Sequence, residues 1–132
     1  MRKIRSSKKG FTLAELLIVV AIIGVLVGIS IPIFTTQLAK SRLATNQANA
    51  RAAKAAAVAA YLDDETVAGG TYDVDTGKFT SATTAPSTGT AAPTAVIGDW
   101  TTDNMSAKVY DTWVITIANG EVSKIAYVDS TT

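Results

Sequence analysis

Neither cysteine nor histidine occurs in the 132 residues. Without cysteine there is no disulfide staple, no thiol nucleophile and no lipidated anchor. Without either residue, the usual zinc ligands and the commonest general base are missing. A G-x-x-x-x-G-K-[ST] phosphate loop is absent as well. The usual catalytic constellations are thus missing, and neither enzymatic activity nor a cofactor is expected. Helix breakers are scarce in one long stretch, since residues 35 to 62 contain no Gly and no Pro. Charge is scarcest of all near the start. From Phe11 to Phe34 the only charged side chain is Glu15.

That apolar run is long enough to cross a bilayer, which takes 18 or more residues. A charge inside such a segment costs roughly 2.5 kcal/mol or more unless it is paired, so Glu15 is a functional hint. Ahead of the run lie Arg2, Lys3, Arg5, Lys8 and Lys9, with no acid before Glu15. The positive-inside rule keeps this end cytoplasmic and sends everything after Phe34 outside. An ordinary secretory signal has an apolar core of about 7–15 residues with a small-x-small cleavage site close behind. Here the core covers 24 positions, and the nearest Ala-x-Ala, Ala48-Asn49-Ala50, begins 14 residues past its end. The residues alone describe a single-pass anchor carrying one small external domain. Gly24 and Gly28 have the small-xxx-small spacing that lets helices approach closely in an apolar medium. Pro32 has no N–H to give the Gly28 carbonyl, so a weak point is expected from Gly24 to Pro32.

The run Lys8-Lys9-Gly10-Phe11-Thr12-Leu13-Ala14-Glu15-Leu16-Leu17 resembles the class III signal peptide of type IV prepilins. The likeness covers residues 8 to 34. It implies removal of the basic leader 1–10 by cleavage between Gly10 and Phe11, and methylation of the new Phe11 amine. It also implies that Glu15 neutralises the Phe11 amine of a neighbouring subunit during assembly. In filaments of this family the segment matching Gly24, Gly28 and Pro32 opens into extended chain. The implied partners are further copies of the chain, minor pilins, a prepilin peptidase, an inner-membrane assembly platform with motor ATPases, and lipid before assembly. Without the leader, seven basic residues face eleven acidic ones, a net charge near −4. Direct nucleic-acid binding, which needs dense phosphate neutralisation, is therefore not expected. Prepilins of Gram-negative bacteria commonly pin a C-terminal loop with a disulfide, so the lack of cysteine points towards a Gram-positive source, while a small head with no inserted module points to a major pilin.

After the apolar run, residues 35 to 62 read as the amphipathic half of the same helix. Ala dominates from Ala48 to Ala60, the best helix former available. Leu38, Ser41, Thr45, Ala48, Ala52, Ala55, Ala59 and Leu62 repeat at spacings of three and four, and this face is expected to meet a sheet. Lys40, Gln47, Arg51 and Lys54 form the other side, read as solvated or meeting another subunit. Asp63, Asp64 and Glu65 oppose a helix C-terminus, so the helix should stop near Leu62. From Phe11, ~52 residues at ~1.5 Å each make a spine of ~78 Å.

Residues 63 to 132 read as a loop-rich β head. Gly69-Gly70 is expected to break the chain, and Tyr72 to Phe79 to form a turn between short extended pieces. Residues 80 to 94 hold only Thr, Ser, Ala, Pro and Gly, which suits an exposed loop, open to O-linked sugar. Asn119-Gly120 is a strong hairpin signal. A two-residue turn there sets Ile117 opposite Val122, Ile115 opposite Lys124 and Trp113 opposite Ala126. A further strand is expected around Lys108 to Asp111. Asp73-Val74-Asp75-Thr76-Gly77 reads as a solvated turn, since the twelfth position of a calcium loop would be Thr84. Tyr72, Phe79, Trp100, Tyr110, Trp113 and Tyr127 read as packing residues. Asn104-Met105-Ser106 is a short match to a glycosylation sequon.

The expected fold is α+β: a long N-terminal helical spine whose C-terminal half packs on an antiparallel sheet of three or four strands, as in type IV pilins. The parts are a leader (1–10), an apolar membrane or filament-core helix (11–34), its amphipathic continuation (35–62) and the head (63–132). The resemblance implies a structural subunit, held in the cytoplasmic membrane and then assembled into an extracellular pilus used for adhesion, motility or DNA uptake. Two other readings are a pseudopilin of a secretion or competence system and an uncleaved, membrane-anchored binding module. A sortase-linked pilin is disfavoured, because Val128-Asp129-Ser130-Thr131-Thr132 offers neither an LPxTG motif nor an apolar tail.

Overall fold

The structure, a computed structural model, describes residues 10–91 and 105–129. The leader residues 1–9, residues 92–94 of the Ser/Thr-rich stretch, Trp100 and Asn104 lie outside the described residues. One helix, α1 (Leu13–Asp63), precedes β1 (Gly69–Asp73), β2 (Lys78–Ala82), β3 (Thr90–Ala91), β4 (Thr112–Ala118) and β5 (Glu121–Tyr127). The architecture is α+β. Two compact units are formed, Met1–Thr36 and Gln37–Thr132.

In the first unit the helix stands without a covering layer. Leu16, Ile22, Leu26, Ile29, Ile33 and Phe34 are all exposed. The helix is long and apolar enough to cross a membrane. Helical geometry continues through Gly24, Gly28 and Pro32. Hydroxyls cluster around the proline: Ser30 Oγ donates to the Leu26 carbonyl at 2.6 Å, and Thr35 and Thr36 Oγ1 both donate to the Pro32 carbonyl at 3.0 Å. Such back-bonding competes with the helical ladder and slightly weakens it.

The second unit is an antiparallel sheet with the later part of α1 on one face. Strand order is β2-β1-β4-β5-β3. Four strands of five to seven residues match the expected sheet, and the two-residue β3 adds a fifth at one edge. Trp113, Ile115 and Ile117 of β4 share the helix-facing side with Ile125 and Tyr127 of β5. Ala50, Ala53 and Ala57 meet them from α1. Each alanine methyl contributes only about 1 kcal/mol of burial against about 2–3 kcal/mol for a large side chain. The alanines therefore serve chiefly to bring the helix close, while Trp113, Tyr110 and Tyr127 supply the burial. Their rings interlock, with Tyr110 on Tyr127 at 4.0 Å between centroids and Trp113 edge-on to Tyr127 at 6.2 Å between centroids.

The helix meets the sheet on a different side from the one its pattern suggested. Ala48, Ala52, Ala55, Ala59 and Leu62 point outward, and Leu62 is 77 % exposed. The buried residues are Asn46, Ala50, Ala53 and Ala57, nearly opposite on the wheel. Alanine at almost every position leaves hydrophobic periodicity with no phase to report. The phase is set instead by Leu43 and Tyr61, which pack on the core, and by Asn46.

Three further expectations are corrected. Lys108 to Asp111 is irregular rather than a strand. It is carried by α1: the buried Asn46 donates Nδ2 to the Met105 and Lys108 carbonyls at 2.7 and 2.8 Å and accepts the Tyr110 N–H at 2.9 Å. Arg42 Nη1 donates to the Ala107 carbonyl at 2.8 Å. Segment 105–110 therefore has its backbone bonded by helix side chains and has no need of a ladder. Next, Gly69-Gly70 opens β1 rather than breaking the chain. Gly69 has φ +147°, and a Cβ there would lie 2.2 Å from the Ile115 carbonyl oxygen, so only glycine lets β1 approach β4 at that point. Lastly, the stretch from residue 80 is not all loop, because β2 runs to Ala82 and Thr90–Ala91 pairs with Tyr127 and Ala126.

The Asn119-Gly120 hairpin is present, with φ of 55° and 79° as a two-residue turn of this kind requires. Ile117 pairs with Val122 as expected, but a bulge follows: Ser123 is the extra residue, and its Oγ donates to the Thr116 carbonyl. Beyond it the register moves by one, so Ile115 opposes Ile125 rather than Lys124, and Trp113 opposes Tyr127 rather than Ala126. The bulge keeps Lys124 off the core face and turns Ile125 and Tyr127 onto it. At Tyr72 to Phe79 the expected turn is found, pairing Asp73 with Lys78. Asp73 Oδ1 accepts the Thr76 N–H at 2.9 Å, which holds the Asp73 carboxyl below its ordinary range. This is the bonding of an ordinary turn.

Candidate functional site: the amino end of the helix

Gly10 to Glu15 form one local structure. Thr12 is the residue before the first helical turn: its carbonyl accepts the Leu16 N–H at 3.2 Å. Its Oγ1 accepts the Glu15 N–H at 3.3 Å, and Glu15 Oε2 accepts the Thr12 N–H at 3.0 Å. This reciprocal pair is a capping box, which satisfies two otherwise orphaned donors of the helix start. It also places a carboxylate in the first turn, at the positive end of the helix dipole. The signal was in the sequence as Thr12-Leu13-Ala14-Glu15, and reading Glu15 only as a charge in an apolar run passes over Thr12.

The box occupies Glu15 incompletely. A carboxylate has about four acceptor positions, and among the described residues it takes only the Thr12 N–H. Gly10, Phe11, Thr12 and Glu15 line one shallow depression. Phe11 is 87 % exposed. Glycines in this unit differ from those in the sheet, since a Cβ at Gly10, Gly24 or Gly28 would meet nothing within 4 Å. The fold of the single chain thus makes no demand for glycine at those three positions. Among the described residues no group of three or more acidic side chains is arranged to hold a metal.

Residues 5–31 match the pattern described as the prokaryotic N-terminal methylation motif. This N-terminal segment is similar to that of the type IV prepilins. Similar chains include a "Fimbrial protein" of Moraxella nonliquefaciens, 33 % identical over 92 residues, covering 59 % of this chain and 54 % of that one. A "Fimbrial protein" of Pseudomonas aeruginosa is 39 % identical over 70 residues, covering 53 % of this chain and 46 % of its own. The "Type IV major alpha-pilin" of Moraxella bovis is 39 % identical over 61 residues, covering 46 % and 38 % respectively. The chain therefore spans about half the length or less of the curated relatives it matches. No solved structure matches it.

Proposed function

We propose that the chain is a structural subunit that polymerises into a type IV pilus. A membrane peptidase cuts between Gly10 and Phe11, the Phe11 amine is methylated, and residues 1–10 are lost as the leader. Until assembly the chain sits in the cytoplasmic membrane, N-terminus inside, with the sheet unit outside. The observation that carries this reading is the amino end of α1. There an exposed Phe11, a carboxylate with spare acceptor capacity and an uncovered apolar helix lie together; lipid would cover the helix of a lone anchor but would leave the carboxylate without a partner. Pairing Glu15 with the amine of the next copy removes the cost of carrying a charge into an apolar core. Relatives named as fimbrial proteins and as a pilin support it.

Gly10 stands in open space, so its missing side chain answers to something outside the fold. A protease that must approach the backbone is such a requirement. Gly10→Val is accordingly expected to stop leader removal without unfolding the chain. Gel mobility of the membrane-bound protein checks this, and normal processing of the variant would contradict it.

Gly24, Gly28 and Pro32 are assigned to a segment that opens in the filament. Pro32 withholds one bond from Gly28, the surrounding hydroxyls compete for carbonyls, and the two glycines gain little from helical geometry. In a density map of the filament the backbone from Gly24 to Pro32 should be extended or broken. A fully hydrogen-bonded helix there would contradict the assignment.

Presence of filaments in sheared surface fractions at natural expression tests the function itself. A pseudopilin would give none, and a membrane-anchored binding module would keep Met1 to Gly10.

A further inference from the structure

The later part of α1 is small or apolar on both sides. One side lies on the sheet, whereas Ala48, Ala52, Ala55, Ala59 and Leu62 face outward, and no described residue covers them. A helix that is apolar all round is normally buried. Charge is also sorted along the chain. Residues 37–62 hold four bases and no acid, while residues 63–132 hold ten acids and three bases. Of the four bases, Arg51 and Lys54 are exposed and make no ion pair among the described residues. The helix then ends on Asp63, followed by Asp64 and Glu65, all exposed, with no base in its last turn. Asp64 Oδ1 accepts the Thr66 N–H and hydroxyl, yet acids at that end of a helix face its negative pole, which a cation from elsewhere would offset.

The uncovered face with spare cations and the helix end with spare anions each lack what the other has. We infer that the outward face of α1 from Ala48 to Leu62 docks a second copy of this chain, with Arg51 and Lys54 set against that copy's Asp63, Asp64 and Glu65. The inference rests on the polymer reading above. Small side chains let the copies come close, and closing the face removes water that would otherwise screen the charges. Between copies that run parallel, as in a polymer, the contact is heterologous and can repeat along the filament. The excess of acids from residue 63 onward works against the other occupant of a basic, apolar helix face, an anionic membrane surface.

The lack of cysteine makes a clean test. In Ala55→Cys the new thiol is the only one, and maleimide labelling is compared between sheared filaments and detergent-dispersed monomers. Labelling is expected to be slower in filaments by roughly tenfold or more. Arg51→Glu with Lys54→Glu should cut filament yield by roughly tenfold or more while leaving the thermal unfolding of monomers unchanged. Adding Asp63→Lys and Glu65→Lys to that chain should restore filaments. Equal labelling in both states, or no recovery in the fourfold variant with a normally folded monomer, overturns the inference. So does a charge-reversed chain that still forms filaments but no longer binds vesicles of anionic lipid. Absence of filaments from the unmodified chain would instead overturn the polymer reading itself, and the inference with it.

Discussion

Cells carrying Glu15→Ala or Glu15→Gln should make cleaved, membrane-resident, normally folded subunits and few or no filaments. Two costs are separable. Within one chain the substitution breaks the Thr12–Glu15 capping box, worth about 1 kcal/mol at an exposed helix start. The sheet and its core belong to residues 37–132, so the unfolding of that unit should not change. Between chains, the Phe11 amine of each neighbour loses its partner in an apolar core, a loss of about 3–5 kcal/mol at every contact. That term is several times larger and recurs along the filament, so it decides the outcome. Thr12→Val separates the two: it removes the Oγ1 half of the box and keeps the carboxylate, and it should assemble. Co-expression of unmodified subunits should rescue Glu15→Ala in part. Surface filaments counted by electron microscopy give the readout, and Glu15→Ala filaments of normal number and length would break the pairing account.

Asn46 carries the largest expected effect on stability. Its side chain is fully buried and makes three hydrogen bonds to the backbone of segment 105–110. Asn46→Ala strands one N–H and two carbonyls in the core, each worth about 1–3 kcal/mol if left unmet. Some relaxation will recover part of this, so a loss of about 3–5 kcal/mol is expected, enough to lower the melting temperature by roughly 15 °C or more for a domain of this size. Asn46→Asp should be no milder, because a carboxylate cannot donate to Met105 or Lys108. Asn49→Ala is the control. Among the described residues its side chain makes one long bond, to the Tyr110 carbonyl at 3.4 Å, and the substitution should cost under about 1 kcal/mol. Circular dichroism of the full chain in detergent measures all three, and Asn46→Ala melting together with the unmodified chain would refute the assignment. With no cysteine in the chain, this amide takes the place of a covalent tie between helix and sheet unit.

Legibility in the sequence followed the strength of the local physics. A long apolar run, the acids from Asp63 to Glu65 and Asn119-Gly120 each leave little choice, and α1, its end at Asp63 and the hairpin turn were readable from them. What failed depended on partners far along the chain. Alanines 48 to 60 carry no phase, so only tertiary contact could say which side meets the sheet. The Ser123 bulge leaves no mark in the residue types, yet it moves the register of every later pair in the hairpin. Lys108 to Asp111 looked like a strand because strands are the usual way to satisfy a backbone beside a sheet, and Asn46 supplies another way. At the candidate site, Glu15 stood out as the one charge in an apolar run, and Gly10 and Phe11 were singled out by the prepilin resemblance. Thr12 was readable too, through the T-x-x-E spacing, but the charge of Glu15 drew the reading elsewhere.

Mass spectrometry of the N-terminus of protein sheared from the cell surface tests the central claim most directly. The account predicts a chain that begins at Phe11 with one methyl group on its amine and lacks Met1 to Gly10. Surface filaments built from chains that still begin at Met1 would contradict it.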